Sequence, residues 1–428
     1  MSLFTSKKLN PIQNSCSFEM NFPESLASHS IAIGNTLRRV MISEIPTVAF
    51  EDDSATTFSE YPKYDLELPP NIKIHNNTSN LHNEFLKHRL SMLPLSWWNH
   101  PNKTIQIESY FHHEMSKRLY QCKSPDTVPI FRLSVVNNNE TLERYREQDK
   151  TSQSMIPTVS SSNMLHVFSN MMTVSTNEPI EDYVVPDPTI LHNYKQNQYV
   201  LLHELKPNLH NSSKHNQGFE LEATPVCGIG KRHSKFCTVG TVQYEFVKTK
   251  DYELIQTIFK KKIMNLNQDK LSKQLTPLID NISDIQFIMT PDSLSYDSPK
   301  YIDNGTIHPV YQMWKSFTRL DIDRIYEQTS IGTPKIIKFT VESIGSIAPT
   351  SIVYTAFQVV IDKMTDLLDS LTLNRTNHVK LAESTSLING YELFINHEDD
   401  TAGNLITNFL LYHSKIIHAS YKLSLIHI

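Results

Sequence analysis

Apolar positions recur at helical spacing in SLASHSIAIGNTLRRVMISEIPTVAF, residues 25–50. Ile33, Leu37, Val40 and Met41 stand at i, i+4, i+7 and i+8, one stripe of an amphipathic helix. Ser28 or Ser30 can cap its start, and Pro46, two residues after Glu44, stops it. A short apolar strand, Val48–Ala49–Phe50, follows. Arg38 and Arg39 lie off the stripe, which suits them to docking a carboxylate-bearing partner or, more plainly, to a solvated basic face. Upstream, Ser17–Asn21 reads as a strand with Phe18 and Met20 on one face.

The polar, Pro-containing stretch after Phe50, to about Pro70, predicts a surface excursion. Ile72–Lys73–Ile74 alternates as a strand. Leu86, Leu90 and Leu93, with Phe85 beside them, then predict a helix ended by Pro94. His88 and Arg89 on this helix have no nucleophile or paired carboxylate nearby in sequence and read as a packed, hydrogen-bonded pair. Residues 96–330 carry short apolar or alternating segments among Ser, Asn, Thr and Pro clusters. Ile105–Ile107, Ile130–Val136, Tyr199–Leu202 and Val239–Phe246 predict a β-rich domain with long loops. Asn137–Ser162 and Thr173–Asp187 are polar enough to be mobile. Leu254, Ile255, Ile258 and Phe259 mark a helix whose lysines, Lys260–Lys262, face solvent.

From Ile336 the pattern sharpens to a strand, a turn at Gly345 and a long helix opening at Pro349, a favourable first position. Val353, Phe357, Val360, Met364, Leu367 and Leu371 recur in threes and fours, a seam for packing along another helix. After a polar link, Thr372–His378, a second unit begins. Gly34–Asn35 and Gly403–Asn404 each open a helix just after a strand segment, as two copies of one fold would.

At 428 residues the chain has room for two or three domains. Its net charge of −5 advertises no nucleic-acid surface and excludes little else. Cys16, Cys122, Cys227 and Cys237 form no CxxC pair, against both a zinc ribbon and a disulfide framework. No run of about 18 apolar residues predicts a membrane span; a soluble, intracellular protein is expected. Only ten glycines occur, so each one kept is under suspicion of holding a special backbone position.

Candidate metal and phosphate sites are thin. Cys227, His233 and Cys237 lack a fourth ligand at zinc spacing, and His112–His113–Glu114 is not HExxH. Gly228, Gly230 and Lys231 lack the spacing of a phosphate loop. A metal-dependent hydrolase built on His112, His113, Cys227 and His233 therefore has little support, and no catalytic residue, metal or cofactor is assigned.

The stretch IGNTLRRVMISEIPTVAFE closely resembles the opening helix of the alpha-like RNA polymerase subunits (bacterial alpha, archaeal D, the third subunit of polymerase II) through Asn35, Leu37, Arg38, Arg39, Glu44, Pro46 and Thr47. A second family signature is matched by Glu84, Phe85, His88, Arg89, Leu90, Pro94 and Leu95, with Asn83 and Ser91 replacing the usual Asp and Gly. VLLHELKPN (200–208) and GIGKRHSKF (228–236) match two further segments in part, the latter through Gly228, Ile229, Lys231, His233 and Lys235. FTVESIGSIAP resembles the lead into the family's last dimerisation helix. Residues 391–411 resemble the small partner subunit, archaeal L or the eleventh subunit of polymerase II. Glu398, Asp399, Thr401, Gly403, Asn404 and Leu405 match there, Asp400 and Ala402 depart, and Ala419–Lys422 resembles a downstream segment.

The resemblance implies an α+β fold in which the alpha-like dimerisation fold occurs twice. Residues 1–95 and 331–372 are expected to form the dimerisation domain around a β-rich insert, 96–330, with a partner-like module at 373–428. That module would continue past Lys422, and LSLIHI does not resemble the continuation, so a truncated reading frame is expected. The fused arrangement resembles polymerases of nucleocytoplasmic large DNA viruses. It implies a non-catalytic assembly platform for the two largest polymerase subunits and a small zinc-binding one, with nucleic acid met only indirectly and no membrane. The expected location is a virus factory, host cytoplasm or virion, or the nucleus if cellular. Family members' zinc or iron–sulfur loops are not supplied here. Arg38, Arg39, Glu84, His88 and Arg89 are expected at the large-subunit docking face. The interface between the halves is expected at Asn35, Leu37, Val40, Met41, Phe357, Met364, Glu398, Asp399, Thr401, Gly403, Asn404 and Leu405. A free-standing transcription-associated scaffold with the same fold is the alternative.

Overall fold

A computed structural model of the chain describes residues 4–10, 14–50, 72–95, 111–114, 119–122, 130–151, 157–175, 200–207, 216–223, 225–231, 233–272, 302–303, 306–307, 309–329, 332–373, 379–384, 389–396 and 398–423. The expected excursion after Phe50, the Ile105–Ile107 strand and most of 173–187 lie outside the described residues. Helices are α1 (Glu24–Ala27), α2 (Ser30–Ser43), α3 (Asn83–Ser91), α4 (Asn139–Thr151), α5 (Tyr252–Ser272), α6 (Pro309–Leu320), α7 (Pro349–Thr372) and α8 (Asp400–Leu411). Helix and sheet are thus mixed along the chain. One four-stranded sheet takes its strands in the order Phe4–Asn10, Ser15–Asn21, Ile336–Ser343, Val239–Phe246.

By contact the chain divides into two units. The first comprises Met1–Ser6, Phe18–Gly34 and Tyr244–Phe339. Its helical core is aromatic: Trp314 and Phe317 of α6 close on Phe259 of α5, with ring centroids 4.8 and 5.0 Å away. Ile255, Ile263 and Ile325 complete it. Lys261 and Lys262 are exposed as the pattern requires, and Lys262 pairs with Asp321. Phe18 stacks on Phe339 at 5.1 Å, so the alternation that marks Phe18 as inward-facing is used.

The second unit comprises Lys7–Ser17, Asn35–Gln243 and Thr340–Ile428. Its largest core lies on an antiparallel sheet ordered Ile72–Asn77, Gly218–Ala223, Ile130–Val136, Thr173–Ser175. Strict alternation puts Phe131, Leu133 and Val135 inward, and Leu221 sits opposite both Ile74 and Leu133. Leu86 and Leu90 of α3 join this core, as do Leu165, Leu202 and Leu205. A fully buried Leu of this kind contributes about 2 kcal/mol from area alone.

Asn137–Ser162, expected to be mobile, instead contains α4. The reason is readable afterwards. Asn138 accepts from the Thr141 N–H at 2.7 Å, which caps the helix, and Leu142 is buried with Tyr145 packed beside it. Asn137 is buried and donates to the Leu205 and Asn163 carbonyls, at 2.9 and 3.1 Å. Two apolar residues on an otherwise charged helix are enough when a core is waiting for them.

α7 opens at Pro349 after a turn at Gly345, whose φ is +105°. Its deeply buried line shares only Leu367 with the expected seam: Ile352, Ala356, Leu367 and Ser370 are buried, whereas Val353, Phe357, Val360 and Met364 are half-buried and Leu371 is exposed. Small residues at 356 and 370 allow close approach on that line. Lys363 extends it at helical spacing, for a reason that lies in the site.

Candidate functional site

The end of α2 is fixed before anything charged meets it. The strand Pro225–Ile229 pairs antiparallel with Pro46–Phe50, Gly228 opposite Thr47. The turn that follows runs beneath the last turn of α2, where the Lys231 N–H donates to the Ser43 carbonyl at 2.7 Å. This satisfies one of the carbonyls that a helix end leaves without an intrahelical partner. Gly230 makes the approach possible, because a Cβ there would stand 2.7 Å from the Ile42 carbonyl oxygen. The Lys231 side chain is thereby aimed from a rigid base.

Its target is Asp399, the N-cap of α8, whose carboxylate accepts from the Thr401 N–H at 2.9 Å. Lys231 Nζ stands 3.1 Å from the same carboxylate and Arg39 Nη2 3.8 Å. Arg39 also donates from Nε to the Thr401 hydroxyl at 2.8 Å. Burial alone would push the Asp399 carboxyl up. The Lys231 ammonium and the Thr401 hydrogen bonds override it and bring the pKa down to about 2. Arg38 turns elsewhere, donating from Nε and Nη2 to Asn35 Oδ1 at 3.3 and 3.1 Å.

One residue earlier, Glu398 reaches Lys363 of α7 at 3.5 Å, and Lys363 also pairs with Glu44, just past the end of α2. These side chains are only 6%, 14% and 7% exposed. Glu44 Oε1 is buried with no hydrogen-bond partner among the described residues. Two carboxylates on one buried ammonium make a weak stabiliser, since desolvation offsets much of the attraction, but removing one member is severe. On α8 itself Thr401, Ala402 and Leu405 are buried and Asn404 is exposed. The chain returns after α8 to lay Tyr421 against Gly403, where burial and the neighbouring Asp400 carboxylate push the phenol pKa up.

Of the residues singled out from sequence, Leu37, Val40, Met41, Thr401 and Leu405 are buried, and Phe357 and Met364 half-buried. Arg39, Glu398, Asp399 and Thr401 come together; Asn35 and Arg38 pair with each other. Glu84, His88 and Arg89 stand on the outward face of α3 with Phe85, which is 63% exposed. Arg89 donates from Nη1 to the Leu202 carbonyl at 2.8 Å. Lys363, Lys231, Glu44 and Tyr421 were not among the expected site residues. Three of them stand in recognisable motif blocks. Lys363 could have been found as a lone cation within an otherwise apolar helical line. Among the described residues no group of three or more His, Cys, Asp or Glu is placed to hold a metal, and no helix is long and apolar enough to cross a membrane.

The profile of the RNA polymerase Rpb3/Rpb11 dimerisation domain matches residues 26–364, so the chain belongs to that family. It is also similar to the DNA-directed RNA polymerase II subunit RPB3 of Schizosaccharomyces pombe, 40% identical over 70 residues. That stretch is 16% of this chain and spans only 17% of the yeast subunit.

Proposed function

We propose that this chain is a non-catalytic assembly-platform subunit of a DNA-directed RNA polymerase, in which both halves of the alpha-like pair are joined in one polypeptide. The observation that carries the reading is the grip of Arg39, on α2, upon Thr401 and Asp399 at the opening of α8. In a member of this family, that contact brings the family's first helix together with a segment resembling its small partner. On this reading 1–95 and 331–372 are the dimerisation domain, 96–330 the insert, and 373–428 the partner-like module. Tethering raises the effective concentration of each half to the millimolar range or so, and assembly no longer waits for an encounter. The fold occurring twice, and a viral origin, belong to the same proposal.

The docking face for the two largest polymerase subunits is assigned to Arg38, Glu84, His88 and Arg89, with Arg39 acting through the module it holds. Phe85 adds an exposed aromatic to this face. A small zinc-binding subunit is the further partner, nucleic acid is met through the large chains, and the protein acts inside the cell, in the nucleus or in a virus factory or virion. The reading is tested by affinity purification of the tagged chain from cells that make it, with the captured chains identified by mass spectrometry. Two very large catalytic chains in equal amounts are expected, and Glu84→Lys should reduce both without lowering thermal stability. Recovery of the wild-type chain alone favours the alternative, a free-standing transcription-associated scaffold.

A further inference from the structure

Three acids stand in a row at the opening of α8: Glu398, Asp399 and Asp400. Three cations lie against them: Lys363 from α7, Arg39 from α2 and Lys231 from the turn after Pro225–Ile229. A run of like charges facing a group of opposite ones invites slippage, because moving the run by one residue keeps most of the attraction. Glu398 and Asp399, however, have different partners. Glu398 takes Lys363, which it shares with Glu44 just past α2, Asp399 takes Lys231 and Arg39 while capping the Thr401 N–H, and Asp400 already lies inside the first turn of α8.

We infer that Lys363 and Lys231 are positioning residues that read Glu398 and Asp399 as an ordered pair and so set the register in which α8 docks beside α2. The inference rests on the reading of 373–428 as a partner-like module and adds how that module is recognised. Length is the first discriminator. Glu398 spans to a buried ammonium 3.5 Å away, and an aspartate one methylene shorter in its place would not reach it. Geometry is the second. Asp399 sits in extended backbone, φ −126° and ψ −171°, so its side chain and that of Glu398 point to opposite sides of the segment, each towards its own cation. The cap is the third, since in a slipped register the acid meeting Lys231 would be Asp400, inside the helix and unable to cap the Thr401 N–H.

The test keeps the charge and changes the order. In the full chain, Glu398→Asp with Asp399→Glu leaves net charge and acid count untouched. Amide hydrogen exchange should show the protection of α8 falling roughly tenfold, while amides of the Ile130–Val136 and Gly218–Ala223 strands stay as in wild type. Lys363→Met should act alike. Wild-type protection in the exchanged double variant overturns the inference and shows that charge count alone holds the module. Recovery of the large catalytic chains is followed in parallel with wild type: its failure sinks the assembly reading, whereas the register is judged on exchange alone.

Discussion

Tyr421 lies against Gly403 so closely that a Cβ on Gly403 would come within 2.7 Å of the ring carbon Cδ2. Residues eighteen positions apart are therefore a single fitted pair. Gly403→Ala sets two effects against each other, since alanine favours the helix by about 1 kcal/mol while its methyl displaces the ring. The helix should persist and the tail should lift. Limited trypsin digestion should cut after Lys422 faster in Gly403→Ala than in wild type, with no loss of helical circular dichroism.

Asp399 predicts an acid limit on docking. Its folded pKa is depressed to about 2, so its contribution is fully present above the ordinary value of 3.8 and is lost as pH falls through that interval. Exchange protection of α8 should be flat from neutrality to mildly acid pH and should weaken below the ordinary value. Asp399→Asn should start lower and lose this dependence.

His203 should produce a separate loss at milder pH. Burial lowers its pKa from 6.5, the nearby Arg89 lowers it further, and Glu204 opposes them in part. The folded chain thus holds the neutral ring, and stability is full above pH 6.5 and declines as pH drops towards the lowered value. His203→Gln should flatten denaturant midpoints measured across that range.

Leu37 is 1% exposed on α2. Leu37→Ala should destabilise the chain by about 2–5 kcal/mol in chemical denaturation and lower its solubility. A change below ~1 kcal/mol would mean that the stripe read from the sequence is not a packing face.

What the sequence made legible follows from where two signals coincide. Apolar spacing located α2, α3 and α7, and Pro46 and Pro349 fell at the boundaries because proline has no N–H to give. The buried line of α7 was missed except at Leu367, because periodicity weighs Phe357 and Met364 above Ala356. Small residues take the closest approach where large ones cannot, and hydropathy does not rank them so. α4 was missed because its many charged residues hide the Asn138 cap and the Leu142 and Tyr145 contacts. The ionic half of the site was hidden in another way. Lys231 meets Asp399 across 168 residues, and Lys363 meets Glu398 across 35 and Glu44 across far more, so no local pattern announces the pairings.

The measurement that bears most directly on the account is the native mass of the isolated polymerase. One copy of this chain with one of each large catalytic chain, and no separate small alpha-like partner, is the expected composition. A second copy of this chain, or a free small partner bound to α2 and α7 in place of residues 373–428, would contradict it.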